Sequence, residues 1–232
     1  MKLLEVAVEY HKDLCPKFWD GMVMKDEVRE KLLEIAESFI EYLDTSFDPD
    51  DITVTGSAAN YNWTKDSDID LHLITDVDDY KKVCPDYAED FFNDKKSLWN
   101  EHHEIEIFGH PVEVYVQDSK EEHKSSGVYS ILNGEWTVKP KYDPPKDVDE
   151  QEIEFHTNRF VTKIDELTKE PGNGAQADKV KEEIRIYRKM GLDSKEKEFS
   201  VPNLVFKSLR HSGHMGKLVD YIRDDKSEEL SL

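Results

Sequence analysis

Gly56-Ser57-Ala58-Ala59-Asn60-Tyr61-Asn62-Trp63-Thr64-Lys65-Asp66-Ser67-Asp68-Ile69-Asp70-Leu71 is the run on which the reading of this chain turns. A Gly-Ser turn is followed by a short apolar stretch that carries two aspartates, Asp68 and Asp70. Strands disfavour aspartate, because its short charged side chain competes for backbone hydrogen bonds and packs poorly on a pleated surface. Two of them in one short strand therefore mark a use. Residues two apart in a strand point to the same side, so Asp68 and Asp70 present paired carboxylates on one face. Ile69, Leu71 and Leu73 then point to the other face, into a core. Hard divalent cations such as Mg2+ take oxygen ligands of this kind.

Working outward, Val28, Leu32, Ile35, Ala36, Phe39, Ile40 and Leu43 recur at helical spacing and predict an amphipathic helix over 24–44. Asp48-Pro49-Asp50-Asp51 ends it. Residues 52–55 read as a strand running into Gly56-Ser57, and 67–75 as the next strand. Residues 78–100 read as helical with an interruption at Pro85. Residues 104–108 and 112–117 read as a hairpin turned at Gly109-His110-Pro111. In its second strand Val112, Val114 and Val116 share one face, leaving Glu113, Tyr115 and Gln117 on the other. A further strand pair, 127–131 and 135–138, is joined by Asn133-Gly134. Residues 139–145 form a linker. Beyond it, Ile153, His156, Phe160, Ile164 and Leu167 make one helical stripe, Val180, Ile184 and Tyr187 a second, and a last helical region covers about 202–224. The expected fold is α/β (α+β), a small mixed sheet flanked by helices, followed by a C-terminal α-helical region. The expected domains are 1–145 and 146–232, the latter ending in a mobile acidic tail over 224–229.

Composition narrows the function classes. The 232 residues suffice for one large or two small domains with a real core. Against 31 basic residues stand 52 acidic ones, for a formal net charge of -21. Nucleic-acid affinity rests largely on Lys and Arg neutralising phosphates, so a long nucleic acid is the least attractive partner. Only Cys15 and Cys84 occur, without metal-ligand spacing, which points to a reducing compartment and no disulfide framework. Met1-Lys2-Leu3-Leu4-Glu5 lacks the apolar stretch of a signal peptide, and no run is long enough to span a membrane. A cytoplasmic protein is expected.

The Gly56-Ser57 turn, the spacing to Asp68-Ile69-Asp70 and a later strand with one more carboxylate resemble the DNA polymerase beta-like nucleotidyltransferase superfamily. Ser67-Asp68-Ile69-Asp70-Leu71 after the turn looks most like the minimal nucleotidyltransferases. Asn60-Tyr61-Asn62-Trp63 and His72 add similarity to uncharacterised nucleotidyltransferase-like proteins of tailed phages. The likeness covers about residues 51–117 well.

That resemblance implies a metal-dependent enzyme. It would transfer a nucleoside monophosphate from a nucleoside triphosphate, ATP among them, to an acceptor, releasing pyrophosphate. The acceptor stays open: a protein hydroxyl, a small molecule or an RNA end. Asp68, Asp70 and Glu113 are the expected catalytic and metal-binding residues, holding two Mg2+ ions, with Mn2+ as a substitute. Like charges that close raise one another's pKa unless a cation is present. Two ions about 3.5–4 Å apart can hold the attacking and leaving oxygens of an in-line displacement. Glu113 is also the expected base for the acceptor hydroxyl, although Glu104 and Glu106 share its alternation one strand earlier and remain alternatives. Gly56 and Ser57 are the expected phosphate grip, through backbone amides and the Ser57 hydroxyl. Lys207, Arg210, His214 and Lys217 recur at three- and four-residue spacing, so Lys207, Arg210 and Lys217 are candidate triphosphate contacts if the helix holds through Gly213. Arg185, Arg188 and Lys189 are a weaker candidate set. The rival readings are a nucleotide-binding or interaction module without catalysis and a second-messenger synthase.

Overall fold

The computed structural model describes residues 10–65, 67–81, 87–123, 125–144 and 149–231. Their packing divides into two compact units, Tyr10–Asp143 and one that takes in the chain from Pro144 onward. The expected boundary between residues 145 and 146 lies outside the described residues, as do Cys84, Pro85 and the first nine positions.

The first unit opens with a small antiparallel pair, β1 (Trp19–Asp20) and β2 (Val23–Met24), that periodicity alone does not reveal. Then come α1 (Asp26–Leu43), β3 (Asp51–Thr55), a 3-10 turn (Ser57–Ala59), β4 (Ile69–Thr75), α2 (Val77–Lys81) and α3 (Ala88–His102). β5 (Glu106–Ile107), β6 (His110–Asp118), β7 (Val128–Ser130) and β8 (Glu135–Val138) complete it. The six-stranded sheet runs β5-β6-β4-β3-β7-β8, with β4 and β6 parallel and the other neighbours antiparallel. This is the mixed sheet with flanking helices that the pattern of elements predicts.

The core follows the two periodicities. Along α1, Val28, Leu32, Ile35, Ala36, Phe39 and Leu43 are buried, and they meet Ile69, Leu71 and Leu73 of β4 in one cluster. α1 stops where Asp44 adopts φ +50, which turns its N–H back to the Glu41 carbonyl. The β5–β6 turn falls on Phe108 and Gly109, both with positive φ, a two-residue connection whose twist suits a hairpin. It therefore sits earlier than Gly109-His110-Pro111. His110 belongs to β6, because its ring is buried edge-on to Phe18.

β5 is too short to cover the whole edge of β6. Farther along, Asn100 of α3 closes that edge: its side-chain amide donates to the Val114 carbonyl (3.1 Å) and its side-chain oxygen accepts the Val114 N–H (3.0 Å). One side chain thus imitates a neighbouring strand and satisfies backbone groups that would otherwise be open.

The second unit holds α4 (Glu150–Leu167), α5 (Gly174–Leu192), α6 (Val201–His211) and α7 (His214–Leu230) around Ile153, Phe160, Ile164, Val180, Ile184, Leu204, Leu209 and Leu218. Asp149 caps α4 by accepting the Glu152 N–H at 2.9 Å. Residues 224–229 form the last turns of α7, and Asp225 accepts the backbone N–H of Gly172 and, at 2.9 Å, of Gly174. The expected last helix does not hold through Gly213, whose φ of +79 separates α6 from α7. Among the described residues, no helix is long and apolar enough to cross a membrane.

Candidate active site

The site is built by register. In the parallel β4–β6 pair, Asp70 faces Glu113, His72 faces Tyr115 and Ile74 faces Gln117. Asp68 lies two residues before Asp70, just ahead of β4. One carboxylate oxygen each from Asp68, Asp70 and Glu113 falls within 4.8 Å of the others, and all three residues are half-buried. The alternatives for the third position do not join them. Glu106 is exposed on β5 opposite Pro111, and Glu104 is exposed ahead of that strand.

Three carboxylates at such separation repel, and partial burial strengthens the repulsion because less water screens it. An all-oxygen donor set of this kind fits a hard divalent cation. Asp68, Asp70 and Glu113 are the residues that would hold it.

Gly56 is a glycine for a reason the sequence does not reveal. Its φ is +69, and a Cβ there would stand 1.9 Å from Asp70 Oδ2. The missing side chain is the space into which the Asp70 carboxylate packs. Its N–H donates to Ser125 Oγ at 3.2 Å, so a phosphate reaches that amide only by displacing Ser125. Ser57 Oγ donates to Ser67 Oγ at 2.9 Å, and the same oxygen accepts the Thr64 N–H at 2.8 Å. The turn is fixed from below by the Trp19 indole, which donates to the Ala58 carbonyl at 2.8 Å and stacks on Trp136. It is fixed from the side by Gly127, where a Cβ would stand 2.0 Å from the Ala59 carbonyl oxygen.

Beyond Glu113 the same face carries a run of polar groups. The Tyr115 hydroxyl donates to Glu113 Oε2. Burial, then the bond to Glu113 and the negative charge of Glu113, Asp70 and Asp68, push the Tyr115 pKa well above that of a free phenol. His72 stacks on the Tyr115 ring, centroids 4.9 Å apart, and donates from Nδ1 to Gln117 Oε1 at 2.8 Å. Burial holds the His72 pKa down at about 4, so the imidazole is neutral at neutral pH. The Lys96 ammonium sits 4.7 Å from the Tyr115 ring centroid.

Other candidates find structural partners. Trp63 stacks on His11 and donates to the Asp13 carbonyl, while Tyr61 packs with Tyr10 and Tyr142. His103 stacks on Trp99 at the end of α3. In the helical unit Lys207 and Arg210 lie on α6 but Lys217 lies on α7, where it pairs with Asp165 at 2.6 Å. Arg185 pairs with Glu182, and the Arg188 guanidinium covers the Phe206 ring. Tyr115, Lys96 and Ser125 are the contributors that sequence reasoning left without a role. Strand alternation puts Tyr115 on the Glu113 face, but nothing local signals Ser125 or Lys96.

Residues 36–133 match the protein family described as nucleotidyltransferase domain, a span that contains every residue of the cluster and of the turn. This part of the chain is a nucleotidyltransferase domain. The protein is accordingly a transferase that takes a nucleoside triphosphate as substrate, in agreement with the resemblance carried by Gly56, Ser57, Asp68 and Asp70. No curated protein and no solved structure gives a significant match to the chain.

Proposed function

We propose that the domain transfers a nucleoside monophosphate from a nucleoside triphosphate to a hydroxyl-bearing acceptor in a reaction that depends on divalent metal. The observation that carries this reading is the convergence of Asp68, Asp70 and Glu113, with ligand oxygens within 4.8 Å, inside a nucleotidyltransferase domain. In the reaction the acceptor oxygen bonds to the α-phosphorus, the bond from that phosphorus to the α–β bridging oxygen breaks, and pyrophosphate leaves with the bonding electrons. Bound Mg2+ or Mn2+ would neutralise charge on the phosphates and on the entering and leaving oxygens. Asp68 and Asp70 supply ligands on one strand face, and Glu113 supplies a third and takes the proton of the acceptor hydroxyl.

The turn at Gly56 and Ser57 belongs to the same reading as the triphosphate grip. Gly56 contributes chiefly by admitting Asp70, and Ser57 by its hydroxyl. Lys207, Arg210 and Lys217 are included as anion contacts of the helical unit. The Lys217–Asp165 pair is exposed and worth under about 1 kcal/mol, so it does not hold the lysine back from an anion. Two cysteines in the whole chain fit a reducing compartment such as the cytoplasm.

The test is pyrophosphate release from each nucleoside triphosphate with Mg2+, in the presence of fractionated cell extract as a source of acceptor. The wild type is compared with an Asp68→Asn/Asp70→Asn variant. Release by the first and none by the second supports the reading. Triphosphate binding without release under any of these conditions contradicts it.

A further inference from the structure

We infer that Tyr115 is the positioning residue of the carboxylate cluster. By donating its hydroxyl hydrogen to Glu113 Oε2 it leaves Glu113 Oε1 as the ligand atom for a single divalent cation. The inference rests on the metal-dependent reading above and assigns the ligand mode of that site.

Three features of the structure support it. Tyr115 is two residues from Glu113 on β6, so both side chains rise from the same face, and their cross-strand neighbours are His72 and Asp70. The ring is held in place by His72, stacked at an interplanar angle of 25°, and by the Lys96 ammonium. His72 is itself fixed by Gln117. A ring so held delivers its hydroxyl to one place. Packing alone would be served equally by phenylalanine; the hydroxyl adds a directional donor beside three carboxylates, where an unbonded phenol would be costly.

The consequence for the cation follows from carboxylate geometry. A glutamate with both oxygens open can chelate, the mode that suits large, irregular coordination shells such as that of Ca2+. With Oε2 accepting from Tyr115, a chelated cation must share that oxygen with a charge-assisted hydrogen bond, which draws electron density from it and favours ligation through Oε1. Oε1 is left with two lone pairs, one for a cation and one for the acceptor's proton. One-oxygen ligation suits the near-octahedral shell of Mg2+. Partners that orient a ligand from behind typically change metal affinity 10–100-fold when removed.

The experiment is a Mn2+ titration of the whole chain followed by electron paramagnetic resonance, without nucleotide, on wild type, Tyr115→Phe, Glu113→Gln and the double variant. Melting temperatures of the metal-free proteins accompany it. Two Mn2+ sites are expected in the wild type. In Tyr115→Phe one site weakens about tenfold or more and the other stays within about twofold of wild type. In the Glu113→Gln background, removing the Tyr115 hydroxyl changes nothing further. Identical isotherms for wild type and Tyr115→Phe overturn the inference. So does equal loss at both sites, an effect that persists without Glu113, or a metal-free Tyr115→Phe protein that melts several degrees lower, which would make the hydroxyl structural. A wild type that binds no Mn2+, or that binds it no better than Asp68→Asn/Asp70→Asn, fails at the earlier step and contradicts the metal-dependent reading itself.

Discussion

Asp70 and Glu113 stand directly opposite one another on the parallel strands β4 and β6, side chains on the same face. Like charges directly opposite one another across strands destabilise a sheet, and Asp68 adds a third carboxylate to the group. The protein keeps an electrostatic cost at the point where a cation would remove it.

That cost predicts a crossover in stability. In chelator, Asp70→Asn should melt no lower than wild type, because it relieves repulsion. With Mg2+ at a hundredfold excess over its dissociation constant, wild type should gain about 2.7 kcal/mol, and Asp70→Asn should gain far less. Thermal melts of both proteins with and without Mg2+ check this. An Asp70→Asn variant that melts well below wild type in chelator would show the carboxylate to be structural.

Gly56→Ala should be more damaging than a turn glycine ordinarily is. The new Cβ would enter within 1.9 Å of Asp70 Oδ2, and the backbone would keep a φ of +69. Asp70 must swing away and the turn must strain, at about 1 kcal/mol or more for the backbone alone. The expected result is loss of Mn2+ binding with a moderate fall in stability, read by metal titration and denaturant unfolding. Unchanged metal affinity would separate Gly56 from the cluster.

Asn100→Leu keeps the volume but removes both bonds to the Val114 backbone. Each of the two Val114 backbone groups left open, on a buried residue, costs about 1–3 kcal/mol. For the two groups together, denaturant unfolding should show a loss of about 2–6 kcal/mol, with weaker Mn2+ binding because Val114 adjoins Glu113. A neutral substitution would mean that water serves the edge equally well.

Lys207→Ala/Arg210→Ala tests the helical unit. Under the proposed function these two residues are anion contacts; charge-assisted hydrogen bonds are worth about 1.5–3 kcal/mol, so on that proposal their loss raises the KM for the triphosphate tenfold or more with little change in kcat. An unchanged KM would assign the two cations to the helical unit's own surface.

Much of this was legible in the residues because strand alternation is a strict period. Asp68, Asp70 and Glu113 were placed on polar faces by their apolar neighbours Ile69, Leu71, Val112 and Val114, all of which are buried. What alternation cannot supply is strand adjacency. Nothing local states that β4 lies beside β6 in the register that sets Asp70 against Glu113, and so Glu104 and Glu106 stayed open. The same limit hid Ser125 on the Gly56 amide and Trp19 beneath Ala58, since both contacts join segments far apart in the chain. The contacts of Asp225 were hidden in the same way, since the backbone donors it accepts from lie at the start of α5, some fifty residues earlier in the chain.

The most direct test of the central claim is the fate of the phosphates. Wild type and Asp68→Asn/Asp70→Asn are incubated with Mg2+, acceptor extract and triphosphate labelled at the α- or the γ-phosphorus. The account predicts α-label in an acceptor adduct, γ-label in pyrophosphate, and neither with the variant. Label from the γ-position in the acceptor, or α-label transfer undiminished in the variant, would contradict it.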